Sequence, residues 1–155
     1  MTYPVRIATF NLENLHDAPD QTPSFETRAA ILRPQVERLK ADIICFQEIH
    51  SQETPDGMRE LSALKQLLTG TIYENYELVS TSKPETNEPF SQRNLVIASR
   101  FPIIEHDQYL HTFTPPPEYR KVTSDPPQKE ATGVTWERPL LHARITVSDD
   151  ITLNV

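Results

Sequence analysis

Ile43-Ile44-Cys45-Phe46 is an unbroken apolar run bracketed by Asp42 on one side and Gln47-Glu48 on the other. A run this short, rich in β-branched and aromatic residues and without polar alternation, reads as a strand covered on both faces. That places it in the middle of an α/β sheet. The same run ends on an acid, which delivers the Glu48 carboxylate to the C-terminal rim of the sheet, where ligands of α/β folds bind. Glu48 is therefore the first functional candidate.

The flanking sequence supplies the rest of such a sheet. Residues 5–12 read as an earlier strand. In residues 25–40, Ile31, Leu32, Val36 and Leu39 recur at helical spacing, with Arg28, Arg33, Glu37, Arg38 and Lys40 largely on the other face. Pro34 interrupts that pattern and predicts a kink or two short helices in series. Residues 52–57 read as a loop. In residues 58–69, Leu61, Leu64, Leu67 and Leu68 form one stripe closed by Gly70, as in an amphipathic helix with glycine just past its end. Residues 76–81 and 95–99 are further strands. Residues 105–136 carry Pro115-Pro116-Pro117 and Pro126-Pro127 among charges, which predicts a long irregular surface excursion. Residues 139–147 and 151–155 predict a hairpin turning at Ser148-Asp149-Asp150. The sequence stops within this β pattern, and the expectation is the N-terminal part of a larger fold.

Composition narrows the chemistry. The 155 residues suit one ordinary domain or part of one. Gly57, Gly70 and Gly133 are the three glycines, and they lie too far apart for a dinucleotide fingerprint or a P-loop, so a phosphate has to be held by side chains and metal. The net charge of −7 argues against binding a long nucleic acid over a broad basic face. Cys45 reads as a small core residue and Trp136 as a packing residue. His16, His50, His106, His111 and His142 lack zinc-site spacing. No segment approaches the ~20 apolar residues of a membrane span, and a cytoplasmic protein is expected.

A hard cation such as Mg²⁺ takes oxygen ligands and is often held by one or two carboxylates plus the substrate's phosphate. Glu48 suffices as such an anchor. Asn11, at the end of the first strand, offers an amide oxygen to the metal's outer shell or an amide donor to phosphate. Glu13 shares the side-chain parity of Asn11 if the strand continues that far. Each has a bland alternative: a solvated acid for Glu48 and Glu13, and an asparagine bonding its own backbone for Asn11.

Three blocks, Thr9-Phe10-Asn11-Leu12-Glu13-Asn14-Leu15, Ala41-Asp42-Ile43-Ile44-Cys45-Phe46-Gln47-Glu48 and Asn94-Leu95-Val96-Ile97-Ala98-Ser99-Arg100-Phe101-Pro102-Ile103, resemble successive signatures of the endonuclease/exonuclease/phosphatase superfamily. Arg138-Pro139-Leu140-Leu141 and Ile151-Thr152-Leu153-Asn154-Val155 resemble the next strands, in the family's order. The resemblance implies an α/β fold, a layered sandwich of two packed sheets with outer helices, of which residues 1–155 form the N-terminal part of a single domain. It implies Mg²⁺- or Mn²⁺-dependent hydrolysis of phosphoesters, a nuclease acting on DNA or RNA first and a lipid or small-molecule phosphoesterase second, without an obligate protein partner. A non-catalytic module or a truncated remnant is the competing class. By position Glu48 corresponds to the metal-binding glutamate and Asn11 to the active-site asparagine. Glu13 falls where some abasic endonucleases carry a second acid, and Arg138 resembles an arginine near the substrate phosphate. It has the alternative of pairing with Glu137. The family's catalytic histidine, Gly-Asp-Phe/Met-Asn and Ser-Asp-His motifs do not occur in these residues, and the chain alone is expected to be inactive.

Overall fold

A computed structural model describes residues 4–155. Strands β1 (Ile7–Leu15), β2 (Ile43–Ile49), β5 (Glu77–Ser80) and β6 (Asn94–Ser99) form a four-stranded sheet in the order β1-β2-β6-β5, with β1 parallel to β2 and the other pairs antiparallel. A second sheet orders β11 (Ile151–Asn154), β10 (Leu140–Ser148) and β7 (Ile103–Tyr109) as an antiparallel meander. Alternation along β2 explains the layering. Ile44 and Phe46 face helices α1 (Phe25–Leu39) and α2 (Ser62–Leu68) in one core, while Ile43 meets Ile97, Ala143 and Ile145 between the two sheets in another. The apolar run is thus covered on both faces, and Cys45 is part of the inter-sheet core.

Tyr73 locks the helical layer to the sheet. Fully buried, it donates its hydroxyl to the Val36 carbonyl at 3.0 Å and accepts from the Ala41 N–H at 3.0 Å, so the end of α1 and the approach to β2 share one side chain. Burial pushes its hydroxyl pKa up.

Several boundaries depart from the sequence reading. Helix α1 is a single 15-residue helix with Pro34 inside rather than two helices in series, because Phe25, Ala29 and Val36 anchor it on both sides of an exposed Pro34. Arg28 and Arg33 turn inward, their guanidiniums meeting carbonyls that need donors. Arg33 bonds the carbonyls of Leu67 (3.1 Å) and Gln66 (2.9 Å), where α2 ends and a cation is favourable. The predicted 58–69 helix shortens to α2 because Arg59–Glu60 (β4) pairs with Gln52–Glu53 (β3), a hairpin where a loop was expected. Leu61, Leu64, Leu67 and Leu68 are buried as the stripe requires, and Gly70 adopts φ +76° just past the helix. Residues 105–109 belong to β7, paired with β10, so the irregular excursion covers residues 110–139 and holds only the short ladder of β8 (Glu118–Tyr119) and β9 (Thr132–Gly133). Trp136, expected to pack, is 40% exposed. No helix among the described residues is long and apolar enough to cross a membrane.

Candidate metal and phosphate site

Two neighbouring bulges build the tips of β1 and β2. In β2, Phe46 and Ile49 both enter the helix-side core although two residues separate them. Strict alternation forbids this, and the chain solves it at Glu48, whose φ is +60°. β6 confirms the extra residue, since Phe46 pairs with Val96 but Ile49 pairs with Asn94. Gln47 and Glu48 therefore both turn away from the helix-side core, and Glu48 lies at a bulge rather than at the strand's end.

β1 repeats the device. Leu12 and Leu15 are both fully buried in the helix-side core, and Glu13 (φ +49°) and Asn14 (φ +54°) between them take left-handed backbone. Asn11 pairs with Gln47 and Leu15 with Ile49, so both irregularities fall at one level. Asn11, Glu13 and Glu48 are brought to these adjoining tips. The strand continues through Glu13 to Leu15, and Asn11 and Glu13 are both exposed on either side of buried Leu12, with Glu13 in left-handed backbone. The Glu13 N–H donates to Asn11 Oδ1 at 2.7 Å, the local bond that an asparagine favours, which leaves the Asn11 amide hydrogens outward.

Side chains that the sequence reading passed over hold the tips in place. Arg28 donates to the carbonyls of Leu12 (2.7 Å), Glu13 (2.7 Å) and Asn14 (3.2 Å). Fully buried Asn94 donates to the Ile49 carbonyl at 2.9 Å beside Glu48 and to the Phe90 carbonyl at 2.7 Å, and accepts from the Phe90 N–H at 2.9 Å. Asn14 Oδ1 accepts from Arg93 Nε at 3.2 Å and lies 3.2 Å from His50 Nε2. Because Arg93 can only donate, the Asn14 oxygen faces both groups and His50 carries its proton on Nε2. Arg93 also pairs with Glu137 at 2.9 Å, and Glu137 with Arg138 at 3.5 Å. Arg138 thus sits half-buried at the far end of a chain of polar contacts from β1, paired as the bland alternative foresaw. One sequence signal was available for Arg28: it lies one turn before Leu32, on the flank of the apolar stripe.

Burial lowers the His50 pKa, and the neighbouring His16, Arg93 and Arg28 lower it further, while Glu48 works in the opposite direction. His50, two residues beyond Glu48, is accordingly held toward its neutral form. The carboxylates of Glu48 and Glu13 have no hydrogen-bond or ion-pair partner among the described residues. Those residues bring no three His, Cys, Asp or Glu side chains together. Unpaired carboxylates and an amide carried at one level of two adjacent strands are the donor types of the partial ligand set of Mg²⁺ or Mn²⁺, which retains waters and takes substrate oxygens. A cleft of about 460 Å³ opens between β1 and α1, lined by Asn11, Glu13, His16 and Gln21 on its polar side and by Phe10, Ile31 and Leu32 on its apolar side, with Glu48 outside its lining.

The fold is similar to those of several solved structures. An endonuclease/exonuclease/phosphatase family protein from Leptotrichia buccalis superposes with a TM-score of 0.54 at 17% identity, over 97% of this chain and 52% of its own. The chain has the endonuclease/exonuclease/phosphatase fold. A mannosyl-6-phosphatase from Bacteroides thetaiotaomicron gives 0.53 at 15% identity over 92% of this chain and 45% of its own. A conserved protein of unknown function from Enterococcus faecalis gives 0.54 at 15% identity over 96% and 50%. The chain spans about half the length of these structures. No family model and no curated protein sequence matches it.

Proposed function

We propose that these residues supply the metal- and phosphate-binding half of a divalent-metal-dependent phosphoester hydrolase, and that residues 1–155 are part of one domain of that fold. The observation that supports this reading is the pair of adjoining bulges at one level of the sheet, which carry Glu48 on β2 and Asn11 and Glu13 on β1, with both carboxylates unpaired among the described residues. Glu48 is the principal ligand and Glu13 an accessory acid. Asn11, its oxygen engaged by the Glu13 N–H, presents amide hydrogens to a phosphate oxygen. Arg138 contributes to phosphate binding only by leaving Glu137. A bound Mg²⁺ or Mn²⁺ supplies neutralisation of the charge that develops on the phosphoryl oxygens.

A nuclease acting on DNA or RNA stands first on family grounds, and a small-molecule phosphoesterase second. Among the described residues Arg28, Arg59 and Arg93 near the tips already bond carbonyls or carboxylates, which disfavours their forming a basic track for a polymer backbone and so supports the second. A cytoplasmic enzyme without an obligate protein partner belongs to the same proposal. Mn²⁺ titration followed by water-proton relaxation tests the site. Glu48→Gln should weaken binding at least tenfold, and an unchanged affinity removes Glu48 from the metal site.

A further inference from the structure

His16 also lines a second cleft, of about 320 Å³, on the other side of the β1 tip. Its walls include His50, Glu53, Arg59, Ser91 and Gln92. The His16 and His50 rings stack with centroids 5.4 Å apart and planes 22° from parallel, and the Asn14 contact fixes the His50 ring. They form a flat aromatic platform beside the second cleft.

The other lining groups divide into committed and free. Arg59 is committed: Nε donates to Ser51 Oγ at 2.8 Å, Nη2 to the Ser51 carbonyl at 3.0 Å, and Nη1 faces Glu53 at 3.6 Å. Gln52 is committed as well, donating to the His50 carbonyl at 3.0 Å and accepting the Ala63 N–H at 2.9 Å near the start of α2. Among the described residues the Ser91 hydroxyl and the Gln92 amide have no protein partner and are exposed. His16 accepts the Ala18 N–H on Nδ1, at 3.4 Å, so its Nε2 is a free donor. Asp17 and Glu53 against a single Arg59 leave the lining slightly negative. A cleft of this size holds a small molecule. Neutral donors and acceptors around ring faces suit a ligand with several hydroxyl groups, and the charge disfavours a nucleic-acid backbone.

We propose that this second cleft takes the alcohol part of the phosphoester, a neutral polyhydroxylated ring of the monosaccharide class, lying against the His16–His50 pair. The assignment rests on the phosphoesterase reading only for the placement of the phosphate. Saturation-transfer NMR on the 155-residue chain tests it with methyl hexopyranosides, a hexose 6-phosphate with Mg²⁺, inorganic phosphate with Mg²⁺ and a short single-stranded DNA. At least one methyl hexopyranoside should bind, and Gln92→Ala should weaken it at least fivefold while leaving phosphate with Mg²⁺ unchanged. Glu48→Gln should do the reverse. Ser91→Ala, at an exposed position, gives an independent variant with the same expectation as Gln92→Ala. The proposal is overturned if no hexoside binds, if these variants leave hexoside binding unchanged, or if the DNA alone binds and loses affinity in Gln92→Ala. Hexoside binding that survives beside a Glu48→Gln change with no effect on phosphate and Mg²⁺ overturns the phosphoesterase reading and leaves the cleft assignment standing.

Discussion

Asn94→Ala should cost about 4 kcal/mol of stability, a large share of the 5–15 kcal/mol typical of a domain. Asn94 is fully buried and makes four contacts: donation to the Ile49 and Phe90 carbonyls, acceptance from the Phe90 N–H, and a 3.2 Å bond from Thr81 Oγ1. The Ile49 and Thr81 partners are themselves buried, and each group left unsatisfied costs about 1–3 kcal/mol, whereas water can reach the Phe90 groups. The two buried groups account for the figure, which corresponds to a Tm decrease of about 10 °C in a chain this long. Asn94→Asp sharpens the test. A carboxylate keeps the two acceptor roles but faces the Ile49 and Phe90 carbonyls without a hydrogen to offer, so its folded pKa rises above the ordinary ~3.9. For a raised pKa the folded state holds the extra proton, so the Asp variant's deficit is full above the folded pKa and shrinks as pH falls through it. Urea denaturation of wild type, Ala and Asp variants at several pH values reads both effects. An Ala variant within 0.5 kcal/mol of wild type, or an Asp variant whose deficit does not shrink in acid, refutes the reasoning.

At Glu48, φ +60° favours glycine, so Glu48→Gly should be more stable than Glu48→Ala by about 1 kcal/mol while both lose Mn²⁺ binding; equal denaturation midpoints would show that the left-handed backbone carries no cost. His50 should titrate below the ordinary histidine range by NMR. Because its folded pKa is depressed, stability should fall as pH drops below about 6.5 and level off beyond the folded pKa, a slope that His50→Gln should flatten; equal slopes refute the assignment. The 155-residue chain should not turn over a nitrophenyl phosphodiester, a hexose phosphate or plasmid DNA, since losing members of a cooperative catalytic unit costs orders of magnitude. Turnover by pure protein that disappears with EDTA and with Glu48→Ala would show the catalytic set to be present.

Strands and cores were legible because their signal is local. The Ile43-Ile44-Cys45-Phe46 run required two covered faces, and the leucines of α2 required one. β7 was missed because an edge strand with few apolar neighbours, Ile103 to Tyr109, reads as charged loop until β10 is beside it. Asn11, Glu13 and Glu48 stand out in the sequence as candidates, but the bulges that carry them do not. Arg93 reaches Asn14 from 79 positions away, a contact that no periodicity encodes. Arg28 was assigned outward because charge usually marks the solvated face of a helix, whereas here the β1 bulge exposes three carbonyls that only a donor of its reach can satisfy.

The bulges also explain the scarcity of glycine at this end of the sheet. Among the described residues, six non-glycine residues have positive φ, and four of them, Glu13, Asn14, Glu48 and Arg93, lie at the candidate site. Each costs about 1 kcal/mol or more relative to relaxed backbone, a strain that concentrates where the surroundings over-determine the conformation. Glycine would relieve it. It would also remove the side chain that the turn aims, since a left-handed residue between Phe46 and Ile49 is what turns a carboxylate out of the helix-side core without shifting the strand's buried register. The register requires the bulge, the bulge requires left-handed backbone, and the proposed chemistry requires an acid at that position. Glu48 satisfies all three, and Asn94 and Arg28, bonding the freed carbonyls of the two strands, offset the cost.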